Sequence, residues 1–478
     1  MHIRPENYDT NYIQDEHKDE SSEYDFTVVD MYLLLESLES FLSIMPTILG
    51  FILSWILCKH MPTLSTRRFL MEFIIIGLPT VIFATVGSDY SYIYCTIISI
   101  AIMCHLYRTS CPSKTHIYEI GKRPLVFSLI RATAYNGTSV AILAVDFRSF
   151  PDEFTKSVFF GTSAMDMGIG LFVVIMGLVS RRARNFSDLR MLPQSVVPLM
   201  ILGVARNLFF YLSGNVQEES EYGRDLNAFF ILGFTKLLGS VYSLLAKSDK
   251  QLLGLSLGLL SLHELVLQLG ISDLVMEYEE KRLGFISANR EGLSSLNGCA
   301  ALYMLSMCFA KWYITNDHLS YSQLCSKLKN MLRISLISWV IALLTIPLWD
   351  ICRVTFNFGY VIWVFAISVS LVLIYAFVFE LLLSKSTAKK SFLLLELRKD
   401  TDEKLETLPT YVKSLNMNGL THFIVSNLLT GLVKFFLNPA KRNGVECVLI
   451  VSAYMFINAL VVFTMLKYQI RMSKLVKS

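Results

Sequence analysis

The sequence predicts an all-α protein, a polytopic bundle of about 13 transmembrane helices. Two features of composition lead to this class: apolar residues make up 53% of the 478 residues and charged residues only 17%, and the mean hydropathy is +0.49, which is high for a soluble globular protein. In addition, apolar runs of about 17 to 25 residues recur along the chain, each long enough to cross a hydrocarbon core about 30 Å thick. We therefore expect no large soluble domain.

The individual spans follow from the apolar runs in chain order. We predict them at residues 41–58, 69–87, 91–107, 125–146, 158–180, 194–213, 227–246, 251–271, 292–310, 334–351, 359–383, 419–437 and 445–466. The run at 91–107 is short and carries His105, and the run at 251–271 carries His263 and Glu264. These two are the weakest, and losing either would invert every later connection.

The basic residues orient the predicted spans. Of the 43 Lys and Arg residues, 28 fall on one face, 11 on the other and 4 inside spans. The face with more positive charge is the cytoplasmic one by the positive-inside rule. The N-terminus, Asp146 and Lys156 then face the lumen or exterior, and the C-terminus is cytoplasmic.

Three regions make up the predicted organisation: an acidic lumenal arm at residues 1–35, a single transmembrane domain at 36–470 and a basic cytoplasmic tail at 471–478. The arm is polar and lacks the basic and apolar regions of a signal peptide. The nine cysteines are scattered without a CxxC pair, so we expect no metal and no structural disulfide. Membrane orientation accounts for the basic residues, so we expect no nucleic-acid partner.

Ionisable residues inside the predicted spans are candidates for function. Each costs about 2.5 to 3.5 kcal/mol at a helix centre on insertion scales. They are Arg131, Asp166, Arg206, Lys236, Glu264 and Lys434. The alternative is an interhelical ion pair that only fixes packing. Arg206 lies near the non-cytoplasmic end of its span, where a guanidinium could bind a phosphate through two hydrogen bonds.

Residues 141–170, which we call the hinge segment, join two apolar runs through a short polar turn. Asp146 ends the first run, Lys156 follows ten residues later, and Pro151 breaks the turn between them. A carboxylic acid and an amine placed together at a membrane boundary suggest that the segment has a catalytic role. The spacing alone is more typical of charged side chains that extend to the membrane interface.

The hinge segment, AILAVDFRSFPDEFTKSVFFGTSAMDMGIG, resembles the signature of the glycosylphosphatidylinositol (GPI) inositol acyltransferase family. Further blocks follow in the same order: LGVAR at 202–206, EYGRDLNAFFILG at 221–233, FISANREGLSSLNG at 285–298 and SNLLTGLVK at 426–434. The family's expected number of spans is also thirteen. The chain departs from the family at Arg224, Asp225 and Leu226, where the family usually has Val-His-Trp. Either the histidine is not catalytic in the family or this chain is a divergent, weakened member, and we favour the first interpretation because the hinge segment is intact.

The resemblance implies transfer of a palmitoyl-type chain from acyl-CoA to the inositol of glucosaminyl-phosphatidylinositol in the endoplasmic reticulum membrane. Our hypothesis makes Asp146, with a raised pKa, the general base. Lys156 would stabilise developing negative charge or orient Asp146 through an ion pair. The predicted substrate-binding residues are Asp166, Arg206, Asn227, Asn289, Arg290 and Glu291. For the last three, helix capping and a surface ion pair are the competing interpretation.

The implied partners are acyl-CoA as co-substrate, glucosaminyl-phosphatidylinositol and membrane lipids. We expect no further cofactor and infer no obligatory protein partner. A secondary transporter or flippase for a lipid or anionic solute is the rival class, since it also places charges at mid-depth. Paired repeats, which are common in transporters, are not evident in the sequence. How cytosolic acyl-CoA would reach a lumenal site is not evident either.

Overall fold

The computed structural model describes residues 28–109, 124–213, 219–277, 284–314, 319–383 and 408–471, and also Tyr118, Ile120, Gly121 and Arg282. Over these residues the chain is helical and has no β-strand, only two isolated bridges, Tyr118–Leu319 and Phe160–Cys352. Most of the predicted acidic arm and nearly all of the predicted basic tail lie outside the described residues. A helix begins at Val28, so the last part of the predicted arm is helical.

Seventeen helices are labelled here in chain order. They are α1 (Val28–Ser43), α2 (Met45–Cys58), α3 (Thr66–Phe83), α4 (Ser91–Thr109), α5 (Leu125–Ala144), α6 (Met167–Leu178), α7 (Pro193–Ser213), α8 (Glu219–Tyr222), α9 (Ala228–Ser243), α10 (Asp249–Val266), α11 (Ser272–Met276), α12 (Phe285–Ala288), α13 (Arg290–Tyr313), α14 (Tyr321–Trp349), α15 (Phe358–Tyr375), α16 (Thr410–Leu437) and α17 (Gly444–Lys467). π-Helical turns at Leu267–Ile271 and Ala376–Leu382 continue α10 and α15. Short 3₁₀ turns lie at Ser88–Tyr90, Asp152–Phe154, Phe186–Met191 and Pro439–Lys441.

Within the described ranges, nine helical segments are long and apolar enough to cross a membrane. They are Leu33–Cys58, Ser88–Thr109, Pro193–Leu212, Asp249–Met276, Arg290–Tyr313, Tyr321–Trp349, Phe358–Leu382, Thr410–Leu437 and Gly444–Lys467. The four other predicted spans overlap with α3, α5, α6 and α9. The predicted span at 158–180 is wrong over 158–166, which is not helical because Asp166 binds Ser157 N and Ser163 Oγ and fixes a turn there. Helix α6 has 12 residues, about 18 Å at 1.5 Å per residue, which is shorter than the hydrocarbon core. The all-helical membrane class is confirmed, and the count of thirteen stays a prediction.

Side-chain caps fix where several helices begin. The Asn357 side-chain oxygen accepts a hydrogen bond from Tyr360 N at 3.0 Å at the start of α15. Asn443 and Glu446 form a capping box at the start of α17. Helix α16 starts at Thr410, nine residues before the predicted span, and has a non-helical residue at Asn418. Lys413, Asn416 and Asn418 make this first part polar, so hydropathy alone does not detect it.

Helix α15 forms the centre of the bundle. Of its most apolar 18-residue window, 83% is buried, against 6% for α7. It packs on α5, α6, α13 and α14, and Trp363 Nε1 donates to Ser37 Oγ of α1 at 2.7 Å. Helix α7 therefore lies at the periphery and α15 in the core.

Contacts between connections show which of them share an end of the bundle. The hinge segment meets the connection before α15 through Gly161 N, which donates to Ile351 O at 3.0 Å. Other contacts join connections that are predicted to lie on the opposite side. Tyr118 pairs with Leu319 in an isolated bridge, and Arg182 Nη1 lies 3.9 Å from Asp249 Oδ1. This grouping agrees with the predicted alternation of the connections. The end that contains the hinge segment holds the candidate site.

Candidate active site

A large cavity lies between α5, α6, α7, α9 and α16. Its volume is about 2700 Å³, well above the 300 to 1,000 Å³ of ordinary ligand sites. Most of its wall is apolar, but six basic side chains also line it: Arg131, Lys156, Arg206, Lys236, Arg353 and Lys434. Glu221 is the one acidic residue of the lining. The cavity therefore suits an anionic molecule with long apolar chains.

The length of the cavity follows from the residues of α5 that line it. Arg131, in the second turn of α5, and Val145, just after its end, both contribute to the wall. Fourteen residues of helix span about 21 Å. The cavity thus extends along most of α5, from the end of the bundle that contains the hinge segment to the level of Arg131.

Asp166 and Arg353 form a buried ion pair at the hinge end of the cavity. Arg353 Nε donates to Asp166 Oδ1 at 2.9 Å, and the two side chains are 4% and 0% exposed. Asp166 also accepts from Ser163 Oγ at 2.9 Å and from Ser157 N at 3.2 Å. It therefore fixes the backbone of the hinge segment next to Lys156.

Lys156 pairs with Glu221, which belongs to the short helix α8. Burial raises the pKa of Glu221, but the positive charges of Lys156, Arg353 and Arg206 outweigh that effect and hold the pKa below its usual range. Glu221 is therefore ionised at neutral pH. Both members of the pair line the cavity.

Asp146 lies in the turn after α5, and its Oδ1 is 2.9 Å from Lys434 Nζ near the end of α16. Its other oxygen, Oδ2, has no hydrogen-bond partner among the described residues. Burial raises the pKa of Asp146, and the Lys434 ammonium offsets part of that rise. The raised pKa of Asp146 agrees with the sequence-based hypothesis. Asp146 itself does not line the cavity, whereas its partner Lys434 does.

The expected ion pair between Asp146 and Lys156 is wrong. Each has a different partner, because Lys434 reaches Asp146 from α16 and Glu221 reaches Lys156 from α8. Lys156 therefore does not orient Asp146 by direct contact. The two pairs lie at the same end of the bundle, and the catalytic roles of both residues stay predictions.

Two predicted substrate-binding residues use their hydrogen bonds within the protein. Asn227 caps α9 by accepting from Phe229 N at 3.1 Å, and its amide donates to Gly203 O at 3.0 Å. Asn289 accepts from Asp225 N at 2.8 Å and donates to Asp225 Oδ2 at 3.0 Å. Neither lines the cavity. Both stabilise the connection that carries Glu221.

Arg290 and Glu291 also lie away from the cavity wall. Glu291 Oε1 is 2.8 Å from Arg282 Nη2 and 3.7 Å from Arg290 Nε, and Arg290 donates to Glu277 O. The competing interpretation is confirmed only in that Glu291 forms ion pairs, because these pairs are largely buried and not at the surface and no side chain caps the start of α13. Of the predicted substrate-binding residues, Arg206 lines the cavity and Asp166 contacts it through Arg353.

The departure from the family pattern falls in the same connection. Leu226 is buried at 4% exposure, Asp225 is held by Asn289, and the Arg224 side chain is 55% exposed. None of the three lines the cavity. Their positions away from the cavity wall agree with the interpretation that the family's histidine at this place is not catalytic.

Sequence analysis missed Arg353 as a site residue. It is the one basic residue between α14 and α15, where Asp350 is the other charged residue, and this basic residue is the signal that could have found the site. The count of Lys and Arg residues in each connection treated Arg353 only as evidence for the orientation of the protein in the membrane. The structure instead buries it against Asp166.

Fold and site together define a polytopic membrane protein with a basic, lipid-sized cavity and paired charges at one end. The sequence model of the GWT1 family matches residues 34–465, and this chain belongs to that family. The family resemblance deduced from the sequence is thereby confirmed.

Curated relatives cover most of the chain. It is 27% identical over 461 residues to a human protein named glucosaminyl-phosphatidylinositol-acyltransferase PIGW, covering 87% of this chain and 90% of the relative. The mouse protein of the same name is 26% identical, with coverage of 87% and 91%. GPI-anchored wall transfer protein 1 of Candida albicans is 26% identical, with coverage of 77% and 81%. These names give no support to the transporter alternative.

Proposed function

We propose that this protein is an inositol acyltransferase of GPI-anchor biosynthesis that transfers a palmitoyl-type chain from acyl-CoA to glucosaminyl-phosphatidylinositol. The observation that carries the proposal is the cavity of about 2700 Å³ with charged pairs at one end. It has room for two molecules with long apolar chains. Family membership and the named human and mouse relatives support the same reaction.

Asp146 is the general base in this proposal. Its carboxylate takes the proton of the inositol hydroxyl, and the oxygen attacks the thioester carbonyl carbon. The carbon–sulfur bond then breaks, the CoA thiolate takes the proton back from the Asp146 carboxyl, and CoA leaves as the thiol with Asp146 again ionised. The unbonded Oδ2 supports this role because it has a free lone pair. Lys434 keeps a positive charge beside the carboxylate and favours its ionised form.

Lys156 stabilises the negative charge that develops on the thioester oxygen. Its partner Glu221 holds the ammonium at the cavity wall. An ammonium placed before the reaction begins contributes most in a site from which water is excluded. This role does not need contact with Asp146, so the separate pairing of the two residues is compatible with it.

The cavity also suggests how acyl-CoA reaches a lumenal site. We place the protein in the endoplasmic reticulum membrane with a lumenal N-terminus and a cytoplasmic C-terminus, from the distribution of basic residues. Arg131 then marks the cytoplasmic side of the cavity and Lys156 its lumenal side. A thioester that enters from the cytoplasmic side can extend about 20 Å along α5 to the charged pairs.

The test is a reconstituted reaction. Purified protein in lipid nanodiscs receives palmitoyl-CoA and glucosaminyl-phosphatidylinositol, and mass spectrometry follows the lipid. We expect a lipid product that carries one added palmitoyl ester on inositol, and release of free CoA thiol. Folded protein that yields neither product would overturn the proposal, and movement of unmodified lipid between leaflets would favour a flippase.

A further inference from the structure

Arg353 is a buried arginine whose donors are mostly unused. It is 4% exposed, and a guanidinium carries five N–H donors. Its Nε is bound to Asp166, and no other described group accepts a hydrogen bond from its side chain. Arg353 nevertheless lines the cavity. Its terminal nitrogens are therefore available to a molecule within the cavity.

The connection between α14 and α15 holds Arg353 firmly in this place. Phe356 N donates to Arg353 O at 3.3 Å, and Cys352 N donates to the Asn357 side chain at 3.0 Å. From α10, His263 Nε2 lies 2.9 Å from Thr355 O and Glu264 accepts from Phe358 N at 2.8 Å. These contacts hold the connection that carries Arg353, so its buried guanidinium is preorganised to bind an anion.

Arg206 is the second guanidinium at this end of the cavity. It is half-buried, lines the cavity and lies 5.5 Å from the centre of the Phe210 ring. Among the described residues it has no carboxylate partner. Both Arg206 and Arg353 are close enough to Glu221 to lower its pKa. The two guanidinium groups therefore lie around the same carboxylate.

The ion pairs at this end leave one guanidinium without a carboxylate partner among the described residues. Asp166 pairs with Arg353 and Glu221 pairs with Lys156, whereas Arg206 has no such pair in the part of the chain that the structure describes. A phosphodiester carries a single negative charge, whereas the phosphates of acyl-CoA carry several. A single unpaired guanidinium therefore favours the phosphodiester.

We propose that Arg353 and Arg206 form a phosphate-binding subsite that holds the phosphodiester of the inositol lipid beside the charged pairs. The identity of this ligand rests on the proposed function. Guanidinium groups bind phosphate oxygens through pairs of hydrogen bonds. The subsite fixes the headgroup so that the inositol hydroxyl meets the thioester at the hinge end of the cavity.

The experiment measures binding and turnover separately. Binding of dioctanoyl-phosphatidylinositol and of CoA to purified protein is titrated for the wild type and for Arg353→Gln and Arg206→Gln. We expect each substitution to weaken binding of the inositol lipid about 10- to 100-fold, the usual range for a lost charge-assisted hydrogen bond. CoA affinity should stay within about twofold, because the subsite does not bind CoA.

Two further variants keep the result interpretable. Arg353→Gln leaves the buried Asp166 unpaired and is expected to lower stability, so the double variant Arg353→Gln/Asp166→Asn removes both charges together. Arg442→Gln is the matched control. Arg442 lies in the connection before α17, pairs with Glu446 at 3.8 Å and does not line the cavity. It should bind both ligands like the wild type.

Unchanged affinity for the inositol lipid in Arg206→Gln and in the double variant would overturn the subsite. Loss of CoA binding with intact lipid binding would overturn the assignment to the lipid. The proposed function is judged separately. Wild-type protein that binds the lipid without acylating it would refute the reaction but not the subsite. Acyl transfer with the same KM for the lipid in the wild type and in every variant would support the reaction and refute the subsite.

Discussion

Gly298 of α13 supports the connection that carries Arg353, and Gly298→Ala is expected to disturb it. A Cβ at this position would lie 2.7 Å from Phe356 Cβ, 3.0 Å from Phe356 C and closer still to Phe356 O. Phe356 O and C are backbone atoms, so no side-chain rotation can relieve the contact. The connection itself must move.

The size of the shift follows from these distances. Carbon atoms pack at about 3.5 Å or more, so Phe356 has to retreat by about 0.8 Å. The Arg353 carbonyl accepts a hydrogen bond from Phe356 N, so we expect the shift of Phe356 to disturb the ion pair between Arg353 and Asp166. Overpacking of this kind costs about 1 to 3 kcal/mol of stability. A displacement near 1 Å in a catalytic site lowers the rate about 100-fold.

The assay compares initial rates of acyl transfer and thermal unfolding midpoints in the same nanodiscs. Gly258→Ala in α10 is the matched control, because a Cβ there meets nothing within 4 Å. We expect the control to keep wild-type rate and stability. A Gly298→Ala protein with the wild-type rate would refute the view that the connection before α15 must hold Arg353 in place.

Two further predictions concern the charged pair of Asp146 and the cap of α9. Burial raises the pKa of Asp146 and Lys434 lowers it, and a base must be ionised, so activity falls as pH drops through that pKa. Lys434→Met removes the positive charge that lowers the pKa of Asp146 and should move the acidic limb of the pH–rate profile to higher pH. Lys434→Arg keeps that charge and should leave the limb in place. An unmoved limb in Lys434→Met would exclude Asp146 as the titrating group. Asn227→Ala removes the α9 cap, worth about 1 kcal/mol, and should lower the unfolding midpoint without changing KM for either substrate. An increased KM for either substrate would instead support the predicted role of Asn227 in substrate binding.

Much of the helical architecture could be predicted from the sequence. Membrane helices need long apolar runs because the lipid offers no partner for exposed backbone groups. Each predicted span therefore overlaps with a helix, although α6 covers only part of the span predicted at 158–180. The same logic placed Asp146 and Lys156 in the turn that precedes α6, at one end of the bundle with Glu221.

The partners of the charged residues could not be predicted. Lys434 lies 288 positions after Asp146 in the chain, and only the packing of α16 against α5 brings them together. Asn227 and Asn289 were predicted to bind substrate, but Asn227 caps α9 and Asn289 holds Asp225. Sequence cannot separate substrate binding from these structural roles of a polar side chain at a span end. The lengths of α6 and α9 posed a similar problem, since hydropathy does not show where a helix starts beside a polar turn.

The most direct test of the account compares Asp146→Asn with the wild type in a single-turnover acyl transfer in nanodiscs. The amide keeps the size of the side chain but cannot act as a base. We expect the variant to remain folded, to bind palmitoyl-CoA like the wild type and to form no acylated glucosaminyl-phosphatidylinositol. Product formation at the wild-type rate by this variant would contradict the assignment of Asp146 as the base.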